Sequence, residues 1–104
     1  MEPVVVLCTF PNLDVARTIA KTLVEENLAA CVNLQSASES IYRWEGKIET
    51  ATEILALMKT TPSVYAALET RLQELHPYNV PEIVALPAHR SLKAYASWVA
   101  ESVV

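Results

Sequence analysis

The chain has 104 residues, of which 52% are hydrophobic and 19% are charged, and its formal net charge is −4. This composition excludes an intrinsically disordered chain and predicts a single domain, residues 1–104, with one hydrophobic core. The negative charge and the absence of a basic stripe argue against nucleic-acid binding.

The same composition bears on where the protein resides. No apolar run approaches the roughly 18 residues that span a bilayer, so no membrane association is expected. The first residues, Met1–Pro3, lack the basic region of a secretory signal. Cys8 and Cys31 lie in apolar, strand-like runs and are expected to be reduced thiols. A cytoplasmic protein is the resulting prediction.

In chain order, the first elements are a strand, a helix and a second strand. Pro3–Thr9 is an apolar, β-branched run that predicts a central buried strand. Asn12 is the predicted N-cap of the helix, and Asn27 its left-handed C-cap. Leu28–Leu34 begins the second strand, and residues 35–39 are either a polar connection or the fraying end of that strand. The predicted inward stripe of the helix is Ala16, Ile19, Ala20, Leu23 and Val24.

A long β-hairpin is predicted around Gly46, which is the only glycine of the chain. The residues on both sides of Gly46 alternate with period two, and glycine permits the positive φ that a tight turn requires. A strand over Ile48–Met58 would be roughly 35 Å long, about the diameter of a globule of this size. The half near Gly46 is polar, whereas the half near Thr60 is apolar. We therefore expect an arm that pairs with another copy of the chain, because unpaired strand edges are avoided.

The second half of the chain predicts helix, strand and helix. Thr61–Pro62 is expected to cap and open a helix that His76–Pro77 ends. Glu82–Leu86 is a short apolar strand, and Ser91 is the predicted cap of the last helix. The predicted inward stripes are Val64, Tyr65, Leu68, Leu72 and Leu75 in the first of these helices, and Leu92, Tyr95, Ala96, Val99 and Val103 in the second.

The resulting order, β-α-β-β-α-β-α, predicts an α+β fold of the ferredoxin-like, split βαβ type. Its antiparallel sheet carries helices on one face, and right-handed crossovers place the first and third strands at the centre. The other face keeps apolar residues, so a further subunit is its expected cover.

One loop and one thiol are the candidates for chemistry. The loop His76–Glu82 holds a His, a Tyr and a Glu beside its two prolines, which favours fixed side-chain directions. A solvated His at a helix end is the alternative. Cys8 ends the first strand, where the chain could meet this loop. A thiol and an imidazole form a soft ligand pair for copper or zinc, although an inert core thiol remains the alternative for Cys8.

Catalysis is not expected. The sequence has no HExxH, P-loop or GxSxG pattern, and a single glycine excludes a glycine-rich phosphate loop. Glu45, Glu49 and Glu53 are interpreted as a solvated strand face or as partners for Lys47 and Lys59. With Cys8 and His76 as the candidate ligands, a divalent metal ion such as copper or zinc is a possible ligand. No obligatory cofactor is predicted.

Four segments resemble the CutA divalent-cation tolerance family: VVVLCT at Val4–Thr9, LAACVN at Leu28–Asn33, SIYRWEGKIE at Ser40–Glu49 and HPYNVPEI at His76–Ile83. The resemblance implies a ferredoxin-like fold similar to the PII signalling proteins. It also implies a homotrimer in which long hairpin strands pair between subunits, and a role in tolerance of copper and other divalent ions.

Individual positions carry further implications of this resemblance. Cys8 and His76 match the positions proposed to bind copper, and Leu75 stands where some members have another His. The positions that match the inter-subunit cleft are Trp44, Lys59, Tyr78 and Glu82. We expect a trimeric tolerance protein that binds copper or other divalent ions. The alternative is a PII-like regulatory scaffold that binds a small ligand or protein partner in its clefts without a direct metal role.

Overall fold

Seven elements follow one another in the predicted order in the computed structural model, which describes all 104 residues. They are β1 (Val4–Phe10), α1 (Leu13–Glu25), β2 (Cys31–Trp44), β3 (Lys47–Thr60), α2 (Tyr65–Leu75), β4 (Ile83–Pro87) and α3 (Lys93–Ser102). The strands form one antiparallel sheet in the order β2-β3-β1-β4, so the first and third strands are central, as predicted. None of the helices is long and apolar enough to cross a membrane.

The core lies between one face of the sheet and helices α1 and α2. Alternate residues of the two central strands point into it, because side chains of a strand alternate between the faces of a sheet. Val24, which the helical periodicity places on the inward stripe of α1, is 39% exposed, so this part of the prediction is wrong. It follows the buried Leu23 by about 100° around the helix and so leaves the stripe. The core includes Val4, Val6, Cys8 and Phe10 of β1, Ile54, Ala56 and Met58 of β3, Leu23 of α1, and Leu68 and Leu72 of α2.

Two of the four predicted helix caps are correct. The Asn12 side chain accepts the Val15 N–H at 2.9 Å, and Asn27 follows α1 with a φ of 60°. Thr61–Pro62 does not open α2 directly, because a turn comes first and regular helix begins at Tyr65. Ser91 is not a cap either, because its hydroxyl donates to the carboxylate of Glu2.

Helix α3 lies on the sheet face opposite α1 and α2, which corrects the inward stripe predicted for it. The Tyr95 hydroxyl is 3.5 Å from Sγ of Cys31, which is paired with Lys59 on that opposite face. Val99 is the one fully buried residue of the predicted stripe, whereas Leu92 is 74% exposed.

The β2–β3 hairpin protrudes from the core as predicted. Trp44 pairs with Lys47, and the two residues between them, Glu45 and Gly46, have φ values of 49° and 80°. Two central residues with positive φ are the signature of a type I′ turn. Every residue from 41 to 50 is exposed, and the molecule measures 44 × 26 × 22 Å. Residues 35–39 belong to β2, which is interrupted there by a bulge, so a polar connection is the wrong alternative.

An apolar surface remains on the sheet face opposite α1 and α2, which we call the open face. Its residues face one another across three strands: Leu7 pairs with Leu57 on one side and with Val84 on the other. Val84 and Leu86 are close to half exposed. The members of the open face are Val5, Leu7, Leu55, Leu57, Val84 and Leu86.

Candidate functional site

His76 fastens the α2–β4 loop to the end of β1. Its Nε2 lies 2.8 Å from the carbonyl oxygen of Thr9, so this nitrogen carries the proton and donates it. Its Nδ1 accepts the N–H of Tyr78 at 3.1 Å. The ring also stacks on Phe10, with centroids 4.9 Å apart. Both ring nitrogens therefore serve the fold, and neither has a free lone pair for a metal ion.

The environment of His76 keeps the imidazole neutral. The residue is only 7% exposed. Burial lowers the pKa of His76, because a charged ring loses its hydration, while the Thr9 carbonyl and the nearby Glu53 oppose this effect. The alternative of a solvated His at a helix end is therefore wrong, because the ring is enclosed and bonded on both sides.

Cys8 lies on the core side of β1, between Ala56 of β3 and Ile83 of β4. Its side chain is fully buried, and burial raises the pKa of the thiol to about 12, with Glu82 adding to the effect. The thiolate is the form that binds metals and acts as a nucleophile, so Cys8 in this environment is unreactive near neutral pH. No group of three or more His, Cys, Asp or Glu side chains is arranged to hold a metal ion.

A cleft of about 600 Å³ opens where the hairpin leaves the core. We call it the hairpin cleft. Most of its strand residues, among them Thr9, Tyr42 and Glu53, lie on the same sheet face as the open face, as their pairing partners show. The α2–β4 loop forms the opposite wall. The lining includes Thr9, Tyr42, Trp44, Glu53, Tyr78 and Glu82.

Three of the four residues assigned to an inter-subunit cleft line the hairpin cleft: Trp44, Tyr78 and Glu82. Lys59 does not line it within one chain. Its ammonium group donates to the side chain of Asn33 and the carbonyl of Leu57. Lys59 is six residues beyond Glu53 on β3, a distance of roughly 20 Å along an extended strand.

Glu53 is the member of this site that the sequence interpretation missed. The sequence pattern predicts a solvated position for Glu53, yet it is only 8% exposed. Its Oε2 accepts the hydroxyl hydrogen of Tyr78 at 2.7 Å, and burial together with this bond raises the pKa of Tyr78. The available signal was its position on β3, where the polar half of the strand meets the apolar half.

Comparison with known proteins gives a consistent result. The family model described as CutA1 divalent ion tolerance protein matches residues 4–102. The Divalent-cation tolerance protein CutA of Thermus thermophilus is 52% identical over 98 residues, covering 94% of this chain and 95% of that protein. Protein CutA of Mus musculus is 46% identical over 91 residues, covering 88% of this chain. The match covers 51% of the mouse protein, so the chain spans about half of that relative.

Solved structures agree with these relatives. The structure of the divalent cation tolerance protein (Cut A1) from Thermus thermophilus superposes with a TM-score of 0.95 at 50% sequence identity. The superposition covers 98% of this chain and 99% of that chain. The ferredoxin-like architecture predicted from the sequence is thereby confirmed.

Proposed function

The chain belongs to the CutA1 divalent ion tolerance family, and we propose that it acts in metal tolerance as a homotrimer that binds a ligand in the hairpin cleft. One observation carries the proposal. The cleft and the uncovered apolar open face lie side by side on the same face of the sheet. A subunit that covers the open face would therefore also border the cleft.

The open face supports the oligomeric part of the proposal. Apolar residues of three adjacent strands form a continuous surface there, and contiguous apolar surface of this kind marks an interaction site. The hairpin adds an exposed arm with Ile41 and Ile48 accessible on it. Pairing of the arm between subunits would remove its exposed strand edge.

A binding role fits the candidate residues better than catalysis. A nucleophile or general base needs a lone pair that can reach a substrate. The imidazole of His76 has both nitrogens bonded, and Cys8 is a buried, protonated thiol. The two cysteines are unpaired, which supports a cytoplasmic location for the protein.

Direct capture of copper or zinc by Cys8 and His76 is the second candidate. His76 Nε2 is hydrogen-bonded to the carbonyl oxygen of Thr9, the residue that follows Cys8. The imidazole and the thiol are therefore both near the C-terminal end of β1. Metal binding there would require the thiol to lose its proton and His76 to release one of its two hydrogen bonds. Calorimetric titration of the reduced protein with Cu²⁺ and Zn²⁺, beside Cys8→Ala, tests this candidate. Saturable binding that the variant abolishes would support it.

Light scattering tests the trimer. Each chain has a mass of 11.5 kDa, so the wild-type protein should have three times that mass. Val84→Lys places a charge in the open face and should lower the mass, because an unpaired charge is costly to bury. Val24→Lys is the matched control, since Val24 is also a partly exposed valine but lies on α1. A monomeric wild type, or a Val84→Lys protein that remains trimeric, would refute this assembly.

A further inference from the structure

Glu53 is a buried carboxylate without a cationic partner. The one ion pair of the chain joins Arg71 of α2 to Glu26, which directly follows α1, so it does not involve Glu53. Oε2 of Glu53 accepts the Tyr78 hydroxyl hydrogen, whereas Oε1 accepts no hydrogen bond. Glutamates are seldom this deeply buried without a charged partner. Oε1 is therefore free to accept a hydrogen bond from a further donor.

This free acceptor, Oε1 of Glu53, faces the hairpin cleft rather than the core. Glu53 lines the cleft, and no buried side-chain atom of the protein lacks a hydrogen-bond partner, so Oε1 is reached through the cleft. Glu82, an exposed carboxylate, lines the same cleft and makes its potential more negative. A positively charged group that enters the cleft would meet both carboxylates.

The walls of the cleft identify the kind of cation. Tyr42, Trp44 and Tyr78 contribute aromatic rings, whose negative faces attract ammonium groups. The chain presents no group of three or more His, Cys, Asp or Glu side chains that could hold a metal ion. The volume of about 600 Å³ is also that of a small organic molecule's pocket, far larger than a bare ion.

We propose that the hairpin cleft binds an organic cation, a small molecule with a protonated amine or quaternary ammonium group, and that Glu53 is its anionic anchor. The inference rests on the proposed function only in taking this cleft as the ligand site, to which it adds the chemical class of the ligand. Glu53 Oε1 accepts an N–H of the ammonium group. The aromatic rings cover its apolar part, and Glu82 attracts the cation at the mouth.

Matched probes test the charge requirement. Benzylammonium and benzyl alcohol have nearly the same size and one aromatic ring, but only the first is charged at pH 7. In calorimetric titrations of the full chain, benzylammonium should bind saturably. Benzyl alcohol should bind at least tenfold more weakly, because losing a hydrogen bond between charged groups lowers the affinity by roughly tenfold or more. Equal affinity for the two probes, or binding of neither, would overturn the proposal.

Variants locate the anchor. Glu53→Gln keeps an acceptor for Tyr78 and should weaken benzylammonium binding at least tenfold while leaving benzyl alcohol unchanged. Glu82→Gln, at an exposed position that the fold tolerates, should weaken it by a smaller factor. Glu49→Gln is the control, since Glu49 is exposed on the same face of β3 outside the cleft. Unchanged binding in Glu53→Gln, or an equal loss in Glu49→Gln, would refute the anchor.

Two further readouts distinguish an organic cation from a metal ion and from a basic side chain of a second copy. Titration with Mn²⁺ should show no binding that depends on Glu53, and a saturable site lost in Glu53→Gln would mean a metal site instead.

Light scattering of the same samples reports the oligomeric state. A trimer that binds no ammonium probe refutes the ligand class alone, whereas a monomer that binds it refutes the trimer alone. A fall in mass on Glu53→Gln would show that the cation is a basic side chain of a second copy, which also overturns the proposal.

Discussion

Replacing His76 by Ala should destabilise the fold strongly without removing a metal site. The variant loses the hydrogen bonds from Nε2 to the Thr9 carbonyl and from the Tyr78 N–H to Nδ1. It also loses the stack on Phe10. Each hydrogen bond contributes about 0.5–1.5 kcal/mol net, and an aromatic stack of this kind adds a similar amount. We therefore expect the free energy of unfolding to fall by roughly 2–4 kcal/mol.

Urea unfolding followed by circular dichroism measures this loss, at equal protein concentrations because assembly affects apparent stability. His89→Ala is the control: His89 is exposed, and its replacement should change stability by no more than about 0.5 kcal/mol. Copper titration of the folded His76→Ala protein completes the test. Wild-type stability combined with a tenfold or greater loss of copper affinity would refute the structural role and favour His76 as a ligand.

Three further predictions concern the turn, the thiols and pH. Gly46→Val should lower stability by about 1–2 kcal/mol, because an L-residue is strained at a φ of 80°, and Glu45→Asn should raise it; a Gly46→Val protein as stable as wild type in urea would contradict the type I′ turn. With Cys31 replaced by Ala, a thiol reagent should label Cys8 only as fast as the chain unfolds, because the pKa of Cys8 is raised to about 12 and its side chain is buried; rapid labelling would show an accessible thiol. Burial lowers the pKa of His76, so below about pH 6.5 the unfolded chain binds a proton that the folded chain resists. Stability should therefore fall as pH drops from 7.5 to 5.5, and less so in His76→Gln; an equal fall in both proteins would exclude His76 as the cause.

The fold was largely readable from the sequence because its signals are local. Alternation in β1 and β3 shows which residues enter the core, and the single glycine marks the hairpin turn. The incorrect predictions concern features that depend on contacts between distant parts of the chain. An apolar stripe shows which side of α3 is buried but not which sheet face receives it. Ser91 has the right chemistry for a cap, yet its hydroxyl bonds to Glu2, 89 residues away.

Two residues at or near the hairpin cleft have a different environment from the one that the sequence predicts. The roles of the His76 nitrogens depend on the Thr9 carbonyl, which is 67 residues away in the sequence. Glu53 follows the polar pattern of the hairpin, and its burial depends on Tyr78, which arrives from the α2–β4 loop. Contacts between residues so far apart in the sequence follow from the packing of the fold. The sequence around His76 gives no sign of them, and for Glu53 the only local signal is its position between the polar and apolar halves of β3.

The loop motif around His76 is best understood as support for the hairpin cleft. His76 Nδ1 accepts a hydrogen bond from the backbone N–H of Tyr78, and the hydroxyl of Tyr78 donates one to Glu53. A chain of contacts thus runs from the buried end of β1 to the carboxylate in the cleft. Variants of His76 are consequently expected to weaken the proposed ligand binding through Tyr78, although His76 does not line the cleft. Loss of binding on mutation of His76 is therefore not evidence of ligation by itself, and Glu53→Gln is the cleaner probe, because it changes the charge of the cleft while His76 keeps both of its hydrogen bonds.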